Sequence, residues 1–61
     1  MFSKGHYELI ANAINRELKQ CKTYNTVIMK RVINDLCEVF AKDNPRFSRE
    51  AFIEACWKEV L

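Results

Sequence analysis

The stretch DNPRFSREAFIEACW, residues 43–57, contains the end of one predicted helix and the beginning of another. Asn44 is followed by Pro45, and a residue that precedes proline is sterically disfavoured in the helical conformation. A helix that arrives from upstream should therefore end near Lys42 or Asp43. This position divides the chain into a longer first part and a short last element.

The same stretch carries the start signals of a third helix. Ser48 suits the N-cap position, because its hydroxyl can accept a hydrogen bond from a backbone amide two or three residues later. With Ser48 as the cap, Phe47 and Phe52 occupy the two positions of a hydrophobic staple. Apolar side chains then recur at helical spacing, at Phe52, Ile53, Cys56, Trp57 and Val60. We expect a third helix over residues 49–60.

The beginning of the chain shows the same start signals. If Ser3 is an N-cap, Phe2 and Tyr7 take the staple positions. The apolar face that follows consists of Tyr7, Ile10, Ile14, Leu18 and Cys21. These features predict a first helix over residues 3–21.

The segment Lys22–Asn25 is a polar break before the next apolar run. A connection this short makes the two helices that it joins an antiparallel hairpin. Asn25 or Thr23 can cap the second helix, which we expect over residues 26–42. Its apolar face is wide and consists of Met29, Val32, Ile33, Leu36 and Phe40, broadened by Ile28, Cys37 and Val39. So wide a face is typical of a helix that contacts two neighbours.

The sequence therefore predicts an all-α protein with one domain over residues 1–61, in which a third helix packs across a helical hairpin. The predicted core consists of Tyr7, Ile10, Ile14, Leu18, Met29, Val32, Ile33, Leu36, Phe40, Phe47, Phe52, Ile53, Cys56 and Trp57. A chain of 61 residues is near the lower limit for folding alone, and small domains are commonly supplemented by disulfides, a metal or oligomerisation.

The cysteines help to choose among these three supplements. Cys21, Cys37 and Cys56 are an odd number without close spacing, which argues against a disulfide framework. In a hairpin, Cys21 and Cys37 are separated along the helices by roughly 18 Å, too far to share a zinc ion with Cys56 and His6. We therefore expect no metal and no cofactor, and we expect self-association to supplement the core.

Other classes of function are disfavoured by what the sequence lacks. No run approaches the ~18–20 apolar residues of a membrane span, and the N-terminus does not resemble a secretory signal. His6 is the only histidine, and no Gly-rich loop or nucleophile–base pair accompanies it. We expect a cytoplasmic protein that is not an enzyme.

Charge is unevenly distributed along the chain. Residues 16–31 carry five basic side chains against one acidic, whereas residues 32–61 carry four basic and six acidic. The hairpin tip is therefore basic, and basic groups beside an aromatic ring can bind phosphates and stack a base. The candidate nucleic-acid-binding residues of this basic tip are Arg16, Lys19, Lys22, Tyr24, Lys30 and Arg31. Against this, cations near a helix C-terminus are favoured anyway, and a pI near 8.5 is low for a dedicated nucleic-acid binder.

The last helix offers a second candidate surface. Trp57 and Phe52 are most simply core residues, but an aromatic residue near the end of so small a chain can stay partly exposed. Tryptophan is enriched among the residues that dominate protein interfaces. We take Phe52 and Trp57 as the candidate partner-binding residues.

Two blocks of the sequence carry a resemblance. HYELIANAI (residues 6–14) and VFAKDNPRFSREAFIEAC (residues 39–56) resemble a group of small helical proteins encoded by bacteriophages and prophages, with the pattern HFxxIAxxI and FAxxNPRFDRxRFxxAC. The chain departs from this pattern at Ser48, usually Asp, and at Ala51, usually a longer basic residue. The resemblance brings no catalytic residues.

What the resemblance implies is a setting. A phage accessory protein acts in the cytoplasm of the bacterial host, where it would bind a host component, for example to counter a defence or to redirect a host enzyme. The leading hypothesis is therefore a non-enzymatic protein that binds a host protein. The alternative is a nucleic-acid-binding module that uses the basic tip.

Overall fold

The computed structural model describes residues 2–21 and 25–60. These residues form three helices, α1 (Lys4–Gln20), α2 (Thr26–Asp43) and α3 (Arg49–Trp57), and contain no strand. The all-α prediction is confirmed, and the bounds of the first two helices lie within one residue of those expected.

The beginning of α1 is closed by a cap that uses the only histidine. The backbone N–H of Ser3 donates to Nδ1 of His6 at 3.0 Å, and the backbone N–H of His6 donates to the carbonyl oxygen of Ser3 at 3.0 Å. His6 thus takes the place that Glu or Gln usually has in a capping box. The rings of Phe2 and Tyr7 pack edge to face with centroids 6.0 Å apart, as the predicted staple requires.

The other two helices begin at the predicted caps. The side-chain oxygen of Asn25 accepts from the backbone N–H groups of Val27 and Ile28 at 2.9 and 3.2 Å. Thr23, the alternative cap of α2, lies outside the described residues. Ser48 Oγ accepts from the backbone N–H of Ala51 at 3.3 Å. The staple of α3 is also present, since the ring centroids of Phe47 and Phe52 lie 5.6 Å apart.

The predicted end of α3 at residue 60 is wrong, because the helix ends at Trp57 and a turn follows. The side-chain amide of Asn15 donates to the carbonyl oxygens of Cys56 and Lys58 at 2.9 and 2.8 Å. These carbonyls would otherwise be without partners at a helix end. Glu59 then adopts a positive φ of 62°, and the N–H of Val60 donates to the carbonyl oxygen of Trp57 at 3.1 Å, which closes the turn.

The three helices pack with α3 as the shared neighbour. The beginning of α1 lies beside the end of α2, where the N–H of Phe2 donates to Asp43 Oδ2 at 2.8 Å and Asn44 Nδ2 donates to the carbonyl of Phe2 at 3.1 Å. The hairpin is therefore antiparallel, as predicted. Its two helices do not approach each other closely, since no Cα atom of α1 lies within 8 Å of one in α2, whereas both helices approach α3 that closely.

An aromatic cluster fills the end of the hairpin where α1 begins and α2 ends. Tyr7 and Phe40, one from each helix of the hairpin, lie with ring centroids 5.0 Å apart. Phe47 contacts Tyr7 at 4.7 Å, and Phe52 contacts Phe40 at 5.5 Å. The edge-to-face and tilted geometries are those that aromatic quadrupoles favour.

The buried core agrees with the prediction in most positions and differs in three. The buried side chains are Tyr7, Ala11, Leu18, Ile33, Cys37, Phe40, Phe52 and Cys56. Ala11 and Cys37 are more central than the sequence indicated, because their small size lets α3 approach closely. Val32, predicted to be in the core, is 44% exposed, because its side of α2 faces away from α3.

Candidate protein-binding surfaces

Trp57 lies in a shallow groove between α2 and α3. The groove has a volume of about 240 Å³ and is lined by Lys30, Ile33, Asn34, Ile53 and Trp57, which we call the Trp57 groove. Its floor is apolar, since Ile33 is buried and Ile53 and Trp57 are partly buried. Asn34 is held at the wall by Arg49, whose Nη1 donates to Asn34 Oδ1 at 2.8 Å.

Phe52, the other predicted partner-binding residue, does not reach this groove. Its side chain is 4% exposed and packs against Phe40 and Phe47 in the aromatic cluster. Phe52 is therefore corrected to a core residue, because it has too little exposed surface to anchor a partner. The partner-binding assignment remains with Trp57, five residues further along the helix and so on another part of its surface.

The basic tip is only partly available to a ligand. Lys19 Nζ lies 3.3 Å from Glu59 Oε2, and this ion pair joins α1 to the turn after α3. The pair offsets one of the positive charges on which the nucleic-acid hypothesis depends. Arg16, Lys30 and Arg31 are exposed. Lys22 and Tyr24 lie outside the described residues.

A third surface was not assigned from the sequence. Ile28, Val32 and Val39 are 54%, 44% and 59% exposed and lie on one side of α2, which we call the outer stripe. At about 100° per residue, Val32 lies about 160° around the helix from Asn34, whose side chain contacts α3. The outer stripe therefore faces away from α3. The wide apolar face of α2 was expected to be covered by two neighbours, but this part of it is not.

A groove also lies between α1 and α3. It measures about 570 Å³, with an aromatic wall, a floor of small side chains and a charged rim. The lining residues are Lys4, Tyr7, Glu8, Ala11, Asn44, Arg46, Phe47, Ser48, Ala51, Phe52 and Ala55. The hydroxyl of Ser48, at the edge of this groove, accepts the N-cap hydrogen bond of α3. The sequence did not indicate a cleft of this size.

The thiols of Cys37 and Cys56 are buried together in the core, and their pKa values lie above that of an ordinary cysteine. Burial raises the pKa of Cys56 to about 11, and the neighbouring Cys37 acts in the same direction. Burial also raises the pKa of Cys37, against the opposing charge of Arg49. A protonated, buried thiol is a poor nucleophile and a poor metal ligand. Cys21, by contrast, is exposed.

The Tyr7 hydroxyl is buried beside Asp43 and Asn44, and no described group reaches it with the full geometry of a hydrogen bond. Burial raises the pKa of Tyr7, the charge of Asp43 adds to this effect, and the amide of Asn44 opposes it.

Among the residues that the structure describes, no three His, Cys, Asp or Glu side chains are placed to hold a metal ion. No described helix is both long and apolar enough to cross a membrane.

Comparison with known proteins adds no assignment. No family model, curated protein or solved structure matches this chain. The function must therefore be argued from the surfaces themselves.

Proposed function

We propose that this chain is a phage accessory protein without catalytic activity, which binds a host protein through the Trp57 groove. The observation that carries the proposal is the position of Trp57, partly buried over an apolar floor with Lys30 and Asn34 at the rim. An aromatic or aliphatic anchor from a partner would complete the burial of that ring. Interfaces are typically dominated by such central, apolar contacts surrounded by polar residues.

The phage setting rests on the resemblance of the two sequence blocks, and the structure of this chain helps to interpret it. Many residues of the second block have a structural role, since Phe40, Phe47 and Phe52 build the aromatic cluster and Ser48 caps α3. A shared fold is therefore the first consequence of the resemblance. Lys30 and Trp57 of the groove lie outside both blocks, so partner specificity would differ from one such protein to another.

The rival proposal, nucleic-acid binding through the basic tip, has weaker support. The exposed cations Arg16, Lys30 and Arg31 favour it. The ion pair of Lys19 with Glu59 and the carboxylate of Asp35, which lines a shallow depression with Lys30 and Arg31, disfavour a bound phosphate.

The test is a pull-down of tagged protein from bacterial lysate with and without nuclease, using the wild type, Trp57→Ala and Leu9→Ala. Leu9 is 69% exposed on α1 and serves as the matched apolar control. The proposal expects a protein band that survives nuclease and moderate salt, is lost with Trp57→Ala and is retained with Leu9→Ala. Circular dichroism should show that Trp57→Ala is folded.

A second variant avoids the core altogether. Lys30→Glu changes the rim of the groove without removing a buried side chain, and it should weaken capture of the same band. Because Trp57 is the only tryptophan, its fluorescence should also shift to shorter wavelength when the purified partner covers it.

Retention of the band by folded Trp57→Ala would refute the proposal. Recovery of nucleic acid alone, lost at higher salt and with Lys19, Lys22, Lys30 and Arg31 replaced together, would favour the rival.

A further inference from the structure

The outer stripe of α2 continues into a larger apolar surface. Met29 and Leu36 lie along one edge of the stripe and are only partly buried. Ile10 and Ile14 of α1 are also partly buried. Ile10 lies about 140° around α1 from Asn15, which contacts α3, so this side of α1 also faces away from α3. The hairpin therefore carries apolar side chains on the face opposite to α3.

The other edge of the outer stripe is charged. By helical spacing it consists of Arg31, Asp35, Glu38 and Lys42, all exposed. Asp35 lies next to the stripe, between the levels of Val32 and Val39. Arg31 of the same helix lies beside Asp35 in a shallow depression. A partner that covers the stripe would partly bury both charges, so it should carry complementary charges at this edge, because buried charges are tolerated only when they are paired.

From these two edges we infer that a second copy of this chain covers the outer stripe, with the two α2 helices packed antiparallel about a two-fold axis perpendicular to them. This symmetry places the charged edge of one α2 alongside the charged edge of the other, running in the opposite direction. If Ile28 faces Val39 of the partner subunit, Arg31 lies within about one residue of the level of Asp35 of the partner subunit. At this edge each copy then presents a charge opposite to the one that it meets on the other copy.

A parallel arrangement does not give this match. A two-fold axis along the helices would place the charged edge of one copy against the apolar edge of the other, formed by Met29 and Leu36. Asp35 and Arg31 of each copy would then lie against apolar side chains and would meet no opposite charge from the other copy. Charge complementarity therefore selects the antiparallel pair.

The size of the chain agrees with this assignment. A standard interface buries about 800 Å² per partner, which is about a sixth of the 4718 Å² accessible surface of this chain. An interface made from the outer stripe and the adjoining apolar side chains would add buried surface to a chain of 61 residues that by itself buries only ~60% of what unfolding exposes. The inference goes beyond the proposed function, because the Trp57 groove lies on the other side of α2.

The test is sedimentation equilibrium over a range of chain concentrations on the purified wild type, Val39→Glu and Leu9→Glu. We expect the wild type to reach twice the monomer mass of 7.2 kDa. Val39→Glu should raise the dimer dissociation constant by at least about tenfold, whereas Leu9→Glu, which is exposed outside this surface, should not. A wild type that stays monomeric at every concentration, or a dimer that tolerates Val39→Glu, would overturn the inference.

Charge reversal tests the antiparallel geometry. Arg31→Asp and Asp35→Arg should each weaken the dimer, since each brings like charges together across the interface. When the two variants are mixed, opposite charges face each other again, so a heterodimer should form at concentrations where each variant alone is monomeric. Absence of that heterodimer would overturn the antiparallel pairing.

The dimer and the binding of a host protein can be tested independently. Trp57→Ala should still dimerise, and Val39→Glu should still bind the host protein, so the failure of one proposal is distinguishable from the failure of the other.

Discussion

The side-chain amide of Asn15 lies 2.8 Å from the carbonyl oxygen of Lys58 and 2.9 Å from that of Cys56, and so α1 caps the end of α3. The two residues joined to Asn15 are more than forty positions away in the chain. This contact fixes where the last helix stops, and with it the position of Trp57 at the last helical residue. The orientation of the Trp57 groove therefore depends on a side chain of a different helix.

Replacing Asn15 should destabilise the fold. We expect Asn15→Ala to lower the free energy of unfolding by about 1–2 kcal/mol, because two partly exposed hydrogen bonds are lost and two carbonyls remain without partners. Urea unfolding followed by circular dichroism measures this loss. Asn12→Ala is the control, since Asn12 is exposed on the same helix and gains the same helix propensity. Equal stability of the two variants would show that the Asn15 contact contributes nothing.

Ser48 should be replaceable by aspartate but not by alanine. Ser48→Ala removes the acceptor for the N–H of Ala51 and should cost about 1 kcal/mol of stability. Ser48→Asp keeps an N-cap acceptor and adds a negative charge at the positive end of α3, so stability should be unchanged or higher. Thermal unfolding of the three proteins under one set of conditions compares them. If Ser48→Asp were as unstable as Ser48→Ala, the cap would not explain the choice of residue here.

Substitution at the centre of the aromatic cluster should destabilise the protein much more than substitution at its edge. Phe40 is 5% exposed and contacts four other rings, so Phe40→Ala should cost about 3–5 kcal/mol. A domain of this size has a total stability of roughly 3–9 kcal/mol, and the variant should be largely unfolded. Phe2 is 44% exposed, and Phe2→Ala should cost only about 1 kcal/mol. Far-ultraviolet circular dichroism at one temperature distinguishes the two, and similar losses at both positions would contradict this packing.

Stability should fall at alkaline pH because of the buried thiols. The pKa of Cys56 is raised from 9.0 to about 11, and those of Cys37 and Tyr7 are raised as well. The folded state then binds more protons than the unfolded state, so this contribution is intact below pH 9 and is lost as the pH rises towards 11. Urea unfolding at pH 7, 9 and 10.5 should show the decline, and a double variant with Cys37→Ala and Cys56→Ala should decline less. Parallel curves for the two proteins would mean that other groups cause the loss.

The local structure of this chain was predictable because its signals are local. Asn25 and Ser48 cap α2 and α3 through bonds to amides two or three residues away, and Ser3 with His6 closes α1 in the same way. Phe47 and Phe52 are brought together by one helical turn. Propensity, capping and periodicity depend on neighbours in sequence, so the helices and most of the core could be identified before the fold was known.

The candidate surfaces could not be identified in that way, because exposure depends on which helix covers which face. The periodicity of α2 groups Val32 with Ile33, yet Ile33 is buried against α3 and Val32 is exposed. On α3, Phe52 and Trp57 looked equivalent as anchors, but only Trp57 lines the groove beside α2. The sequence determined three capped amphipathic helices and an aromatic core. The tertiary structure decided where α3 lies and where it ends. Its position depends on the separation of α1 from α2, and its end depends on the contact of Asn15 with Lys58. Both relationships join residues that are distant in the chain, so local patterns do not reveal them.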